Sequence, residues 1–217
     1  MIRPRTGVAV ALLAASGCGY IYDQVYYASM EKLGREKRDI LAKRVSASRE
    51  DQERAKQQIQ TTLEAFQEVT GFDGGELEKV YNKLSREFER SENRAKQVSE
   101  RIRSIEKVAE DLFKEWDKEI GEIGSAGLRD QSRELMGGTQ ESYSALIVSM
   151  RRAEAKMEPV LAAFRDQVLF LKHNLNARAI QSLEGTALEI DGEVAALVAD
   201  IEESIRETDE FVALLTE

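Results

Sequence analysis

Leu41, Val45, Ser48, Gln52, Ala55, Ile59, Thr62, Phe66 and Val69 recur at alternating steps of four and three. A four-three repeat places all of these side chains on one stripe of an α-helix. A stripe this long has to be buried against other helices. It is polar in its middle, so Ser48 and Gln52, and Ser91 in the next stripe, are expected to face water or a second copy of the chain. Gly71-Phe72-Asp73-Gly74-Gly75 then breaks the helix with three glycines. A second stripe follows: Leu77, Tyr81, Leu84, Phe88, Ser91, Ala95, Val98, Ile102, Ile105, Ala109, Leu112, Trp116 and Ile123, with one gap at Glu119. Two helices of about 48 residues, roughly 70 Å each, joined by so short a loop make an antiparallel hairpin.

Gly121, Gly124 and Gly127 mark a second turn. The third helix is expected from near Leu128, with Leu135, Leu146, Met150, Ala153, Met157, Leu161, Phe164, Val168, Leu171 and Leu175 on its stripe. Gly137-Gly138 softens it. Pro159 removes a backbone donor and is expected to kink or end it. The last stripe is Leu183, Ala187, Ile190, Val194, Leu197, Ile201, Ser204, Thr208, Phe211 and Leu215. Its period survives across Gly185, which leaves open whether the chain breaks there. The expected fold is all-α: an elongated antiparallel bundle or coiled coil of three to four long helices spanning residues 35–217. Four helices return the C-terminus to the end where the first helix begins. Acidic residues 200–217 would then meet basic residues 31–44, unless each segment is neutralised by its own i, i+4 pairs. Three helices send the C-terminus to the far end.

The N-terminus reads as an address. Arg3 and Arg5 precede an apolar run at residues 7–15, and Ala15-Ser16-Gly17 are small. That is the pattern of a secretory signal over residues 1–17, too short to span a bilayer. The chain's one cysteine, Cys18, stands directly behind it. Ala15-Ser16-Gly17-Cys18 resembles the bacterial lipobox, with Ala15 where leucine is usual. The resemblance implies lipidation of Cys18, cleavage before it and attachment to the membrane through more than one acyl chain. A plain signal peptide and a buried N-terminal thiol are the alternatives. Gly19 follows, not the aspartate that favours inner-membrane retention in this signal family. That favours an outer-membrane, periplasm-facing location in a bacterial cell envelope. Residues 18–34 form a membrane-proximal, Tyr-rich segment with Tyr20, Tyr22, Tyr26 and Tyr27. Their rings suit a membrane-water interface or packing on the bundle.

Composition removes several function classes. The chain has a formal charge of -9, and removing residues 1–17 takes Arg3 and Arg5 with it. An acidic body repels phosphate, so nucleic acid is not an expected partner. There is one histidine, His173, and no other cysteine, so neither a zinc set nor a disulfide within the chain is available. No cofactor or metal is expected. No GxxxxGK[ST] loop is present, and His173 lacks a nucleophile elbow, so no catalytic residue is assigned. One stretch stands apart: Lys172-His173-Asn174-Leu175-Asn176-Ala177-Arg178, behind Val168-Leu169-Phe170-Leu171. Asparagine is a poor helix-interior residue. His173, Asn174, Asn176 and Arg178 are therefore candidates for a polar network inside the bundle or for a partner-binding surface, with Asn174 and Arg178 on one face at i, i+4.

Several stretches resemble one family. They are Tyr27-Ala28-Ser29-Met30-Glu31-Lys32-Leu33-Gly34, Lys37-Arg38-Asp39-Ile40-Leu41, Phe72-Asp73-Gly74-Gly75, Tyr81-Asn82-Lys83-Leu84, Ala109-Glu110-Asp111-Leu112-Phe113 and residues 150–180. The family is the uncharacterised proteobacterial domain of unknown function 2959. The resemblance covers nearly all of the chain after Cys18 and implies a helical lipoprotein, with no activity or catalytic residue to carry over. Some of its members are labelled DNA-repair ATPases, a label that the missing phosphate loop and missing basic face oppose here. The expectation is a non-enzymatic scaffold or adaptor that binds envelope proteins, with the membrane and a second copy of the chain as further partners. The alternative is an envelope enzyme or regulatory subunit with a polar cleft near residues 172–178.

Overall fold

The computed structural model describes the backbone of residues 17–216 except Asp73, and side chains from Glu36 onward except Asp73 and Glu184. The signal-peptide reading therefore lies outside the described residues, as do the side chains of Cys18, Tyr20, Tyr22, Tyr26 and Tyr27. Four long helices and one short one make up the fold: α1 (Gly17–Thr70), α2 (Leu77–Glu122), α3 (Ala126–His173), α4 (Ala177–Gln181) and α5 (Glu184–Thr216). No strand occurs among the described residues. α1 packs on α2 and α5, and α3 packs on the same two helices. The four therefore close into an elongated, antiparallel bundle running up, down, up, down, with α1 and α3 diagonal. α1 passes Gly34 without interruption, so the Tyr-rich segment belongs to the same helix as the first strut of the bundle.

The turns follow from local chemistry. Gly74 and Gly75 adopt φ of +147° and +113°, a region that only glycine enters freely. The chain breaks twice between α3 and α5, at residues 174–176 and again at Ser182-Leu183, two residues before Gly185, which itself sits inside the first turn of α5. Pro159 does not end α3, which runs through it to His173. Both Pro159 and Ala155, whose carbonyl loses a donor, are exposed, so water can take the place of the missing hydrogen bond.

The stripes become the core. All of the α1 stripe is buried, including Ser48 and Gln52 at 2 % exposure. Thus the polar positions face the bundle's own interior, not water or a second copy. Ser48 donates to the Val45 carbonyl, and the hydroxyls of Thr62 and Ser91 meet at 2.9 Å across the α1–α2 seam. In α2 the register differs from expectation near its end: Ile120 is buried at 1 % exposure, while Ile123 is only half-buried. A helix turns once in 3.6 residues, so a strict seven-residue repeat drifts off the seam. The steps Leu112, Trp116, Ile120 correct that drift. In α3, Leu135 is 60 % exposed despite lying on the predicted stripe.

Ion pairs along the seams record the register. Arg49 meets Asp209 at 3.0 Å and Lys56 meets Glu202 at 3.4 Å across α1 and α5. Arg101 meets Asp51, Arg165 meets Glu92, and both Arg152 and Lys156 reach Asp200. Such exposed pairs are each worth only about 0–1 kcal/mol, so burial of the stripes carries the stability. α5 does run back toward the end where α1 begins, with Asp209 against Arg49. The charges meet differently from expectation: Lys37 pairs with Glu115 of α2, and Arg206 pairs with Glu203, Glu207 and Glu210 on its own helix. Among the described residues, no helix is long and apolar enough to cross a membrane.

Candidate functional site

At the end of the bundle remote from Gly17, His173 is the last residue of α3, and Asn174 caps it. The Asn174 amide donates to the Phe170 carbonyl at 2.9 Å. Asn176 opens α4 instead, its side-chain oxygen accepting from the Ala179 amide at 3.1 Å. The two asparagines are therefore a C-cap and an N-cap, which is where asparagine is favoured. The helix breaks between Asn174 and Arg178, so they do not share a helical face. His173, Asn174, Asn176 and Arg178 are all exposed, and no buried network forms among them. They sit on a rim beside Leu169 and Phe170, which are 52 % and 40 % exposed.

The other end, where α1 enters, has a different chemistry. Trp116 is half-buried, not fully buried like its neighbour Leu112. Its indole nitrogen donates to the Ser132 hydroxyl at 3.1 Å, and the Arg38 guanidinium lies 5.5 Å above its ring. Deeper in, Phe113, Tyr143 and Phe211 join α2, α3 and α5, with ring centroids 5.6 Å and 6.1 Å apart. Burial, and then the nearby Glu106 charge, pushes the Tyr143 phenol up to about 12, so it stays neutral at physiological pH. Sequence pattern placed Trp116 in the core because it follows Leu112 by four. It could not show that the Arg38 guanidinium, not an apolar side chain, lies over the indole.

Close by, Lys37 and Glu115 pair at 2.9 Å. Burial, followed by repulsion from Glu115 and Glu122, raises the Glu119 carboxyl above its ordinary range. A carboxyl raised in the folded state binds its proton more tightly there than in the unfolded chain. Its contribution therefore favours the fold at acid pH and is lost as pH rises through the folded value. Glu119→Gln is expected to remove that loss. Chemical denaturation at neutral pH should show the variant at least as stable as wild type, with a flatter decline between mildly acidic and neutral pH. A variant with an unchanged pH slope would refute this reading.

Three shallow grooves run along the seams. The α2–α3 groove, about 370 Å³, is lined by Glu92, Lys96, Met157, Glu158 and Arg165 among others. The α1–α2 groove, about 480 Å³, holds Arg54, Arg94 and Arg101 with Asp51 and Glu100. The α3–α5 groove, about 390 Å³, holds Glu141, Glu207 and Glu210 beside Phe211 and Leu214. Residues 172–178 line none of these three. Among the described residues no group of three or more His, Cys, Asp or Glu is placed to hold a metal ion.

Compared with known proteins, the chain matches one family, described as protein of unknown function (DUF2959), over residues 26–215. No curated protein and no solved structure matches it.

Proposed function

The chain belongs to the DUF2959 family, whose function is unknown, and from that premise we propose that it is a cell-envelope lipoprotein acting as a non-enzymatic helical scaffold or adaptor. The observation that carries this reading is the continuity of Cys18 with the bundle. The lipobox-like Ala15-Ser16-Gly17-Cys18 leads directly into α1, which runs unbroken from Gly17 to Thr70. At 1.5 Å per residue this helix is about 80 Å long. With acyl chains on Cys18, the anchor and the first strut of the bundle are one helix, and no flexible linker separates them. The rim at residues 172–178 then stands at the end farthest from the lipid. Gly19 in place of aspartate favours the outer membrane, facing the periplasm.

Cys18→Ser tests the anchor. The variant is expected to lose palmitate labelling and signal cleavage by the lipoprotein route, and to leave the membrane fraction. Equal labelling and unchanged membrane partition would overturn the lipoprotein reading.

A further inference from the structure

One helix carries the net charge of the chain. α5 holds ten carboxylates and a single cation, Arg206, a formal charge of -9 that equals the charge of the whole chain. In its second half these acids are answered from neighbouring helices: Asp200 by Arg152 and Lys156, Glu202 by Lys56 and Asp209 by Arg49. In its first half they are not. Among the described residues Glu189 and Glu193 pair with no cation, and Asp191 meets the neutral amide of Gln67 at 3.2 Å. Residues 57–70 of α1, which lie alongside, contain no lysine or arginine.

The same half of α5 has two four-three stripes. Ile190, Val194, Leu197 and Ile201 form the one that is buried in the bundle. Leu188, Gly192, Ala195 and Ala199 repeat its steps two residues earlier, which places them about 200° around the helix and facing outward. All four are exposed, Leu188 to 79 %. An outward face of a bundle helix is ordinarily polar, and this one is apolar for about three turns. Gly192 sits in mid-helix, where glycine is unfavourable relative to alanine, and a Cβ added there would meet nothing within 4 Å. Nothing within the chain therefore uses the side chain's absence. Glu189 and Glu193 flank the stripe on one side and Asp191 on the other, as charged positions flank the seam of a coiled coil.

We propose that this outward face of α5 docks a basic amphipathic helix of a partner protein. The partner's apolar stripe would lie on Leu188, Gly192, Ala195 and Ala199, and its lysines or arginines would pair with Glu189, Asp191 and Glu193. Charge selects this occupant: a face with three carboxylates and no cation repels an anionic membrane surface, and repels the same face of a second copy. The chain's own N-terminus does not reach. The contacts of Asp191 with Gln67 and Glu202 with Lys56 set the stripe level with α1 residues of about 59–70, more than 60 Å along α1 from Gly17. Sixteen fully extended residues span at most about 58 Å. The inference deepens the adaptor reading and rests on it for the existence of a partner, but does not need the lipid. Its test therefore stands apart from the Cys18 experiment.

The probe is a synthetic, capped, fluorophore-labelled helical peptide of about four turns, with alanine and leucine at four-three spacing and lysines along both flanks. Its anisotropy is followed as the Cys18→Ser protein is added, with a glutamate-for-lysine peptide and a scrambled peptide as controls. The basic peptide is expected to bind saturably and more tightly than either control. Gly192→Leu is expected to melt no lower than the parent protein, because its side chain enters open space, yet to weaken binding roughly tenfold by holding the two helices apart. Glu189→Lys with Glu193→Lys is expected to abolish the preference for the lysine peptide. No saturable binding, equal binding of the scrambled peptide, or equal binding by Gly192→Leu overturns the docking face. Self-association of the parent protein that is lost in Gly192→Leu assigns the face to a second copy and overturns the partner-helix proposal.

Discussion

Phe164→Ala is expected to lower stability by about 3–5 kcal/mol, the largest single effect in the molecule. Phe164 is fully buried and meets Phe66 edge to face, with ring centroids 6.1 Å apart and planes at 84°. These two residues come from the diagonal helices α1 and α3, so their contact crosses the centre of the bundle. Alanine would lose both the buried ring and the aromatic pair, and flanking Leu161 and Val168 sit on a long rigid helix that cannot close inward over the gap. For a chain of this size about 2–4 °C accompanies each kcal/mol, so the melting temperature should fall by roughly 10 °C. Phe170→Ala is the internal control: Phe170 is 40 % exposed, and its loss should move the transition little. Calorimetry or circular dichroism decides the matter. A Phe164→Ala transition within a degree or two of the control would mean that the α1–α3 diagonal is not the centre of the core.

How much of this was legible in the sequence depends on how many helices a position answers to. The α1 stripe was readable throughout, because neighbouring helices cover every stripe residue from Leu41 to Val69. Leu135 and Trp116 were misread for one shared reason. Their burial depends on what lies level with them on the other helices, and helical period within α2 or α3 carries no information about that. The contact between Phe66 and Phe164 was equally invisible, because the stripes say which face is inside but not which residues lie level. Asn174 and Asn176 illustrate a different loss. Their poor helix propensity marks the stretch in the sequence, but its structural meaning is a chain break with one asparagine closing a helix and another opening the next. Leu175 prolongs the third stripe past that break and so hides it. The charge asymmetry between residues 31–44 and 200–217 was real, and the antiparallel return is present. The pairing shifted to Arg49 and Lys56, while Lys37 meets Glu115 of α2.

Gln52→Leu is expected to have the opposite sign, stabilising the bundle by about 1–3 kcal/mol. Gln52 is 2 % exposed, yet neither atom of its side-chain amide has a hydrogen-bond partner among the described residues. The hydroxyl of Ser204, fully buried, is likewise without one. The pairs Arg49–Asp209 and Lys56–Glu202 bracket both residues, so they lie at about the same level of the α1–α5 seam. Burying an unsatisfied amide carries its full desolvation cost, and leucine fills a similar volume without it. A polar side chain kept in a seam at such cost fits a role in register: from its place between Ser204 and Thr208, a slip of one turn would bring Gln52 toward the apolar Ile201 or Phe211. Gln52→Leu should therefore raise the denaturation midpoint while weakening the preference for a single register. The second effect is read by disulfide capture between cysteines placed at positions 49 and 209, in the Cys18→Ser background, against a pair offset by one turn. A variant that melts below wild type would show that the amide is satisfied in solution, by an internal water reaching Ser204, and that the layer stabilises the bundle instead of straining it.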